Sequence, residues 1–168
     1  LLLWPEGNSP GAGNFSPPFA EAEFDIDDAR EPVVSGRPNG DFVVVWREYV
    51  FGYSNLFGQR YDSSGAPLGS EFRVNTYVTN HQNIASAAVD PVGNFVIGWY
   101  SHGQDGSGYG AFAQRYSVTG APLGPEFRVN SYTPGLQVVP MVTVQPSGDF
   151  VMVWGGYGPG GTNRDVFG

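Results

Sequence analysis

The residues of this chain best suited to chemistry are tyrosines that lie among glycines in three variable segments. They are Tyr53, Tyr100, Tyr109 and Tyr157, and Asp105 lies between two of them. An aromatic ring can stack on a sugar, and a nearby carboxylate can fix its hydroxyls, because ligand sites combine apolar surface with a few polar groups. The pattern therefore indicates a glycan-binding surface with these five residues as candidate contacts.

Metal binding and catalysis have less support in the sequence. Calcium requires six to eight oxygen ligands, and Asp105 is the only acid in its glycine-rich segment, so no metal site is predicted. His81 and His102 are the only histidines and lack the spacing of a metal pair, and there is no cysteine. No nucleophile, acid–base pair or cofactor motif emerges. We expect no cofactor and a protein that is not an enzyme.

A repeat must position the candidate residues. The unit is about 53–55 residues long, and each copy carries one tryptophan in the same slot: Trp4, Trp46, Trp99 and Trp154. Each tryptophan from Trp46 onward ends a run such as Phe-Val-Val-Val-Trp. Gly-Gln-Arg-Tyr and Glu-Phe-Arg-Val-Asn follow in the same unit. We expect one fold element to recur along the chain.

Each unit predicts four short antiparallel strands, a to d, separated by turns rich in Gly and Pro. Strand b is the aromatic run, for example Phe42–Trp46. The predicted b–c loops are 47–55, 100–110 and 155–164. This pattern predicts an all-β repeat protein that is β-propeller-like, with four-stranded units as blades. The alternative is a stacked meander or a β-solenoid.

The repeat also predicts the domain organisation. Residues 1–30 form a degenerate partial unit with strands b, c and d, and residues 31–77 form repeat 1. Residues 78–131 form repeat 2, and residues 132–168 form a truncated repeat 3 with strands a, b and c.

Charged residues recur with the repeat as well. With the four tryptophans, the predicted structural core of the units comprises Arg60, Arg115, Glu71 and Glu126. We expect each arginine to bond a carboxylate or a backbone carbonyl and so to tie strand c to strand d. Glu71 and Arg73 are two residues apart on one strand face, so they can pair.

Charge and composition exclude several functions. The net charge is −8, and all eight cations are arginines scattered along the chain, so a nucleic-acid partner is not expected. No apolar run is long enough to span a bilayer, so direct membrane insertion is not expected either. The absence of cysteine fits export, and we expect an extracellular, cell-surface or periplasmic location.

The three recurring blocks resemble the tandem repeats of large exported bacterial surface proteins. This resemblance implies a propeller-like, extracellular and non-catalytic array. The first hypothesis is therefore an exported structural or interaction module, with adhesion as one role, whose partner is another protein: the remaining repeats or a neighbouring subunit. One alternative is a lectin-like module that binds a glycan with its b–c loop aromatics. Another is an accessory extrinsic subunit of a cell-surface or membrane assembly.

Overall fold

A computed structural model describes residues 30–160 and 163–168 of the chain. Eleven β-strands form three antiparallel sheets in these residues, with no helix among them. The same residues accordingly contain no helix that could cross a membrane. The all-β, antiparallel prediction is confirmed. Trp4 and most of the predicted partial unit lie outside the described residues.

Within each sheet, consecutive strands are neighbours. The first sheet contains β1 (Arg30–Gly36), β2 (Phe42–Val50), β3 (Tyr53–Tyr61) and β4 (Phe72–Arg73). The second contains β5 (Gln82–Val89), β6 (Phe95–His102), β7 (Tyr109–Tyr116) and β8 (Phe127–Arg128). The third contains β9 (Gln137–Val144), β10 (Phe150–Tyr157) and β11 (Arg164–Phe167). β1, β5 and β9 correspond to strand a of the repeat and contact one another from sheet to sheet.

The b–c loops are shorter than predicted. β2 continues to Val50, and β3 starts at Tyr53, so only Phe51 and Gly52 form the turn. In the second sheet the strands end at His102 and resume at Tyr109. Antiparallel pairing carries the ladder through these aromatic residues, which suit a pleated strand better than a loop. The predicted loop tyrosines are therefore strand residues.

The sheets pack face to face through their b strands. Val43 and Val45 of the first sheet are buried against Phe95, Ile97 and Trp99 of the second. Burying apolar surface from both sheets at once supplies the stabilisation that a single thin sheet lacks. The core of the molecule therefore lies between sheets.

A smaller aromatic group completes this junction. The Phe72 ring lies 5.2 Å from that of Tyr116, which stacks on Phe95 at 4.9 Å. The Tyr116 hydroxyl donates to the Val74 carbonyl oxygen at 3.1 Å. At the next junction, Phe127 and Phe150 occupy the corresponding positions, with centroids 6.2 Å apart.

Each tryptophan of the described sheets lies beside a bulge in strand a. The register shifts opposite Trp46 and Trp154, and next to the Trp99 pair. Such a bulge bends its strand. Trp46 and Trp99 are buried, whereas Trp154 is partly buried and stacks on Phe167 with centroids 6.1 Å apart. The tryptophan slot therefore coincides with the point where each first strand changes direction.

A buried asparagine organises the exit from each four-stranded sheet. Asn75 Oδ1 accepts from Leu56 N at 2.7 Å, and its Nδ2 donates to the Tyr77 carbonyl oxygen at 2.9 Å. Asn130 makes the same two contacts, with Ala111 N and the Tyr132 carbonyl oxygen. The sequence analysis did not identify these residues, although both copies of Glu-Phe-Arg-Val-Asn contain them.

The recurring charged residues have unequal roles. Arg60 donates to the Val118 carbonyl oxygen in the neighbouring sheet at 2.6 Å and to the Leu68 carbonyl oxygen at 2.7 Å, whereas Arg115 is exposed. Glu126 accepts from Thr76 N at 2.7 Å, so it links the first two sheets.

The suggested pairing of Glu71 with Arg73 is not present among the described residues. Arg73 Nε instead donates to the Asn75 carbonyl oxygen at 3.1 Å, and Glu71 is exposed. An exposed carboxylate gains little from an ion pair, because water already solvates it.

We predict that Asn75→Ala lowers the free energy of unfolding by about 2–3 kcal/mol, because it leaves a buried amide and carbonyl without partners. Urea denaturation followed by tryptophan fluorescence measures this loss. Asn163→Ala, at an exposed position, is the control and should change little. Equal stabilities of the two variants would contradict the role given to Asn75.

We also predict an alkaline loss of stability that depends on Tyr116. Burial, and secondarily Glu126, raises the pKa of Tyr116. The unfolded phenol loses its proton near pH 10 while the folded one keeps it, so this contribution to stability is complete below about pH 10 and falls as pH rises further. Tyr116→Phe should make the decline shallower in urea titrations from pH 8 to 11. Parallel profiles of the two proteins would contradict the prediction.

Candidate functional site

The b–c hairpins and the connectors that precede strand a lie at one end of the sheets, here called the hairpin end. Ser54 Oγ in the first hairpin donates to the Gln82 carbonyl oxygen at 2.9 Å. His102 N donates to the His81 carbonyl oxygen at 3.0 Å. Tyr157 N makes the equivalent bond to the Leu136 carbonyl oxygen at 3.1 Å. Residues from different units therefore meet at this end.

An aromatic patch lies at the hairpin end of the first sheet and consists of Tyr49, Phe51, Tyr53 and His81. The ring of His81 lies 6.1 Å from each tyrosine ring, edge-on to both. Each of the two tyrosines is 41% exposed, and Phe51 is 99% exposed. Three aromatic side chains thus face solvent around one histidine.

Phe51 has an unfavourable backbone conformation. Its φ is +52°, and that of Gly52 is +86°, as in a type I′ hairpin turn. Asn and Gly favour such turns, whereas a bulky side chain at positive φ is strained. Folding gains nothing visible from this ring, because the ring is fully exposed. Backbone strain at an exposed aromatic residue is a pointer to function.

A polar cluster of Glu31, Arg47, Asn83 and Tyr100 adjoins the aromatic patch. Arg47 Nη2 lies 3.0 Å from Glu31 Oε1, and Arg47 Nη1 donates to Asn83 Oδ1 at 2.6 Å. The guanidinium carbon also lies 5.5 Å from the centroid of Tyr49. Arg47 therefore connects the patch to residues from the first strands of two sheets.

Burial and charge are uneven within this cluster. The Arg47 side chain is 11% exposed and that of Glu31 is 51% exposed, and Arg47 Nε is buried without a hydrogen bond. Burial raises the pKa of Tyr100, with Glu31 and Tyr109 adding to it and Arg47 opposing it. The cluster presents a carboxylate to solvent and holds its guanidinium inside.

The second sheet brings two of the predicted contact residues together. Tyr109 lies 5.4 Å from Tyr100 and 4.9 Å from His102, edge-on to both rings. Asp105 turns inward instead, since its carboxylate accepts from Asn130 Nδ2 at 3.3 Å and from Ser107 N at 3.2 Å. Its hydrogen bonds are therefore spent on the hairpin.

The predicted site residues thus fall into three groups. Tyr53 belongs to the patch of the first sheet, Tyr100 and Tyr109 adjoin each other in the second, and Tyr157 lies in the third with Arg164 6.0 Å from its ring centroid. Tyr49, His102 and Tyr157 occupy the same slot of the repeat, a signal that aligning the units reveals.

Sequence reasoning missed the polar cluster. Glu31, Arg47 and Asn83 are widely separated in sequence, and no spacing links them. Within residues 30–160 and 163–168, no group of three or more His, Asp or Glu side chains could hold a metal ion.

No protein-family model matches the sequence, and no curated protein matches it. Among solved structures, the chain resembles an endo-arabinase from Bacteroides thetaiotaomicron VPI-5482, with a TM-score of 0.52 and 12% sequence identity. The likeness covers 83% of this chain and 54% of the arabinase, so the chain spans about half the length of that enzyme. The arabinase fold is propeller-like, and at this identity the likeness concerns the fold alone.

This likeness contradicts the prediction that the chain is not an enzyme, because the solved structure with the similar fold is an enzyme. The prediction rested on the absence of a recognisable motif within the sequence. In this fold, however, side chains from separate sheets meet at one end, as Glu31 and Asn83 do around Arg47. Motif spacing cannot detect such a site.

We predict unequal effects of removing the two charges of the polar cluster. Arg47→Gln should lower the free energy of unfolding by about 1–3 kcal/mol, because it removes charge-assisted hydrogen bonds of a buried side chain. Glu31→Gln should cost less than about 1 kcal/mol, because that carboxylate is half exposed. Urea denaturation of both variants tests this. Similar losses would mean that the ion pair alone holds the cluster.

Proposed function

We propose that this chain forms part of a β-propeller in a carbohydrate-active protein and that it binds a polysaccharide at its hairpin end. The observation that carries the proposal is the aromatic patch, in which the fully exposed Phe51 lies between two half-exposed tyrosines. The sheets are the blades, and their first strands lie nearest the propeller axis, consistent with the contacts among β1, β5 and β9.

The chemistry of the patch suits a sugar chain. Sugar rings present C–H groups on their faces and hydroxyls at their edges. The rings of Tyr49, Phe51 and Tyr53 offer apolar faces, and the adjoining cluster offers the Glu31 carboxylate. Sites for small ligands commonly combine much apolar surface with a few polar groups in this way.

Arabinan is the first polysaccharide to test, because the solved structure with the similar fold is an endo-arabinase. A binding end shared by several blades suits an extended polymer, which can contact the patch of the first sheet and the Tyr100–Tyr109 pair of the second. A polymer of this kind is met outside the cell, which supports the expected extracellular or periplasmic location.

Binding and cleavage are measured separately. Affinity electrophoresis in gels containing arabinan, with galactan and cellulose derivatives in parallel gels, reports binding, and the release of reducing ends reports hydrolysis. Phe51→Ala and Tyr53→Ala should each weaken binding at least about tenfold, as loss of an exposed anchor residue does.

A matched control lies at the other end of the sheets. Leu123 is 41% exposed and lies in a c–d turn, and Val118 of the same turn donates to Asn94 Oδ1 at 3.1 Å in an a–b turn. Leu123→Ala should therefore bind as the unchanged chain does. The proposal fails if no polysaccharide retards the chain, or if the control loses as much affinity as Phe51→Ala.

We predict that Phe51→Asn separates stability from binding. Asn-Gly is the preferred pair for a type I′ turn, so the variant should gain about 1 kcal/mol of stability while losing affinity for the polysaccharide. Thermal unfolding and affinity electrophoresis on the same preparation measure both. A variant that binds unchanged would show that the strained ring serves no ligand contact.

A further inference from the structure

The two sheet junctions within this chain are built in the same way. On each b strand, one face carries small aliphatic residues such as Val43 and Val45, here called the valine face. The other carries the Phe and Trp positions, such as Phe95 and Trp99, here called the tryptophan face. The valine face of one sheet packs against the tryptophan face of the next sheet along the chain.

The second junction repeats this geometry with different side chains. Val96 and Ala113 of the second sheet pack against Met152, with Phe150 beside it, in the third. A Cβ built on Gly98 would lie 3.1 Å from Met152 Cε, so the thioether fits closely over that glycine. Both junctions therefore have the same polarity along the chain.

The valine face of the third sheet is exposed. Val151 is 50% exposed, whereas Val43, in the same slot of the first sheet, is 2% exposed. Val166 is 79% exposed, whereas its counterpart Leu56 is fully buried. Val153 and Met141 are paired across β10 and β9 and are 40% and 51% exposed.

The exposed residues form one continuous surface without charge. Val151 pairs with Thr143, Val153 pairs with Met141, and Val166 pairs with Gly155 in the neighbouring register, so their side chains lie on one face. A contiguous apolar surface of this kind marks an interaction site.

We propose that this surface docks the tryptophan face of a further sheet of the same repeat. The argument is continuity with the two junctions already present, because the third sheet offers apolar residues in the slots that are covered in the first and second. A head-to-tail second copy of this chain would have to offer its first sheet, but Trp46 on that tryptophan face is already buried. A fourth sheet has the complementary surface.

The experiment extends the chain in register. Phe167 occupies the slot of Phe112, and Gly168 that of Ala113, so a second copy of residues 114–168 placed directly after Gly168 continues the repeat. The appended copy supplies a fourth sheet whose tryptophan face carries the counterparts of Phe150 and Met152. The unextended chain is the reference, and both proteins are studied by amide hydrogen exchange and thermal unfolding.

The extension should slow amide exchange in β9, β10 and β11 at least about tenfold and raise the unfolding temperature by several degrees, because it buries their exposed face. The control carries Phe150→Glu and Met152→Glu in the appended copy only and should leave exchange in these strands as in the unextended chain. Equal protection by both extensions, or by neither, would overturn the proposal.

Two further measurements guard against a misfolded variant and a different occupant. Val153→Glu in the unextended chain should leave the unfolding temperature nearly unchanged, whereas Val45→Glu, in the same slot but buried, should unfold the protein. Sedimentation of the unextended chain should show a monomer. A dimer that Val151→Glu dissociates would show that a second copy covers this face and would overturn the proposal.

Discussion

Each sheet in this protein is apolar on both faces of its second strand, and a sheet of three or four strands cannot cover two faces by itself. The resulting need for a neighbour on each side determines the rest of the structure. Trp99 shows the consequence, because it is fully buried only by packing between the first two sheets. A unit of this repeat is therefore stable as one layer of a stack, which is the general behaviour of repeat proteins.

The hydrogen bonds at the sheet exits follow from that packing. Bringing sheets together buries the backbone where strand d leaves one sheet and strand a enters the next, and buried amides need partners. Asn75 and Asn130 supply these partners in both four-stranded sheets. Gln82 and Gln137 also serve the connector, each donating to a carbonyl oxygen three residues before it. The positions of the hairpins are thus set by polar side chains beneath them.

The repeat in the sequence revealed the all-β class, because a recurring apolar strand with turn residues has few other physical solutions. The ends of the strands were not predictable in the same way. Arg47–Val50 mixes charged and aromatic residues, and a strand whose side chains turn to solvent on one face cannot be told from a loop by hydropathy.

The candidate site was only partly accessible to sequence reasoning. The tyrosines were recognised by residue type, and Tyr53 does lie in the exposed aromatic patch. The contact of Arg47 with Glu31 and Asn83 depends on how two sheets are placed against each other, which no single segment encodes. The inward turn of Asp105 was also hidden, because Asn130, its partner, lies in a different strand.

The hairpins project beyond the packed region, and this separates two kinds of change during evolution. The first hairpin has a turn of two residues, and the second has a longer connection between His102 and Tyr109, yet both stand on the same asparagine-supported base. Insertions and substitutions at the tips therefore leave the sheet junctions intact. A protein built in this way can acquire new specificities by exchanging tips between repeats through recombination, with little cost to its framework.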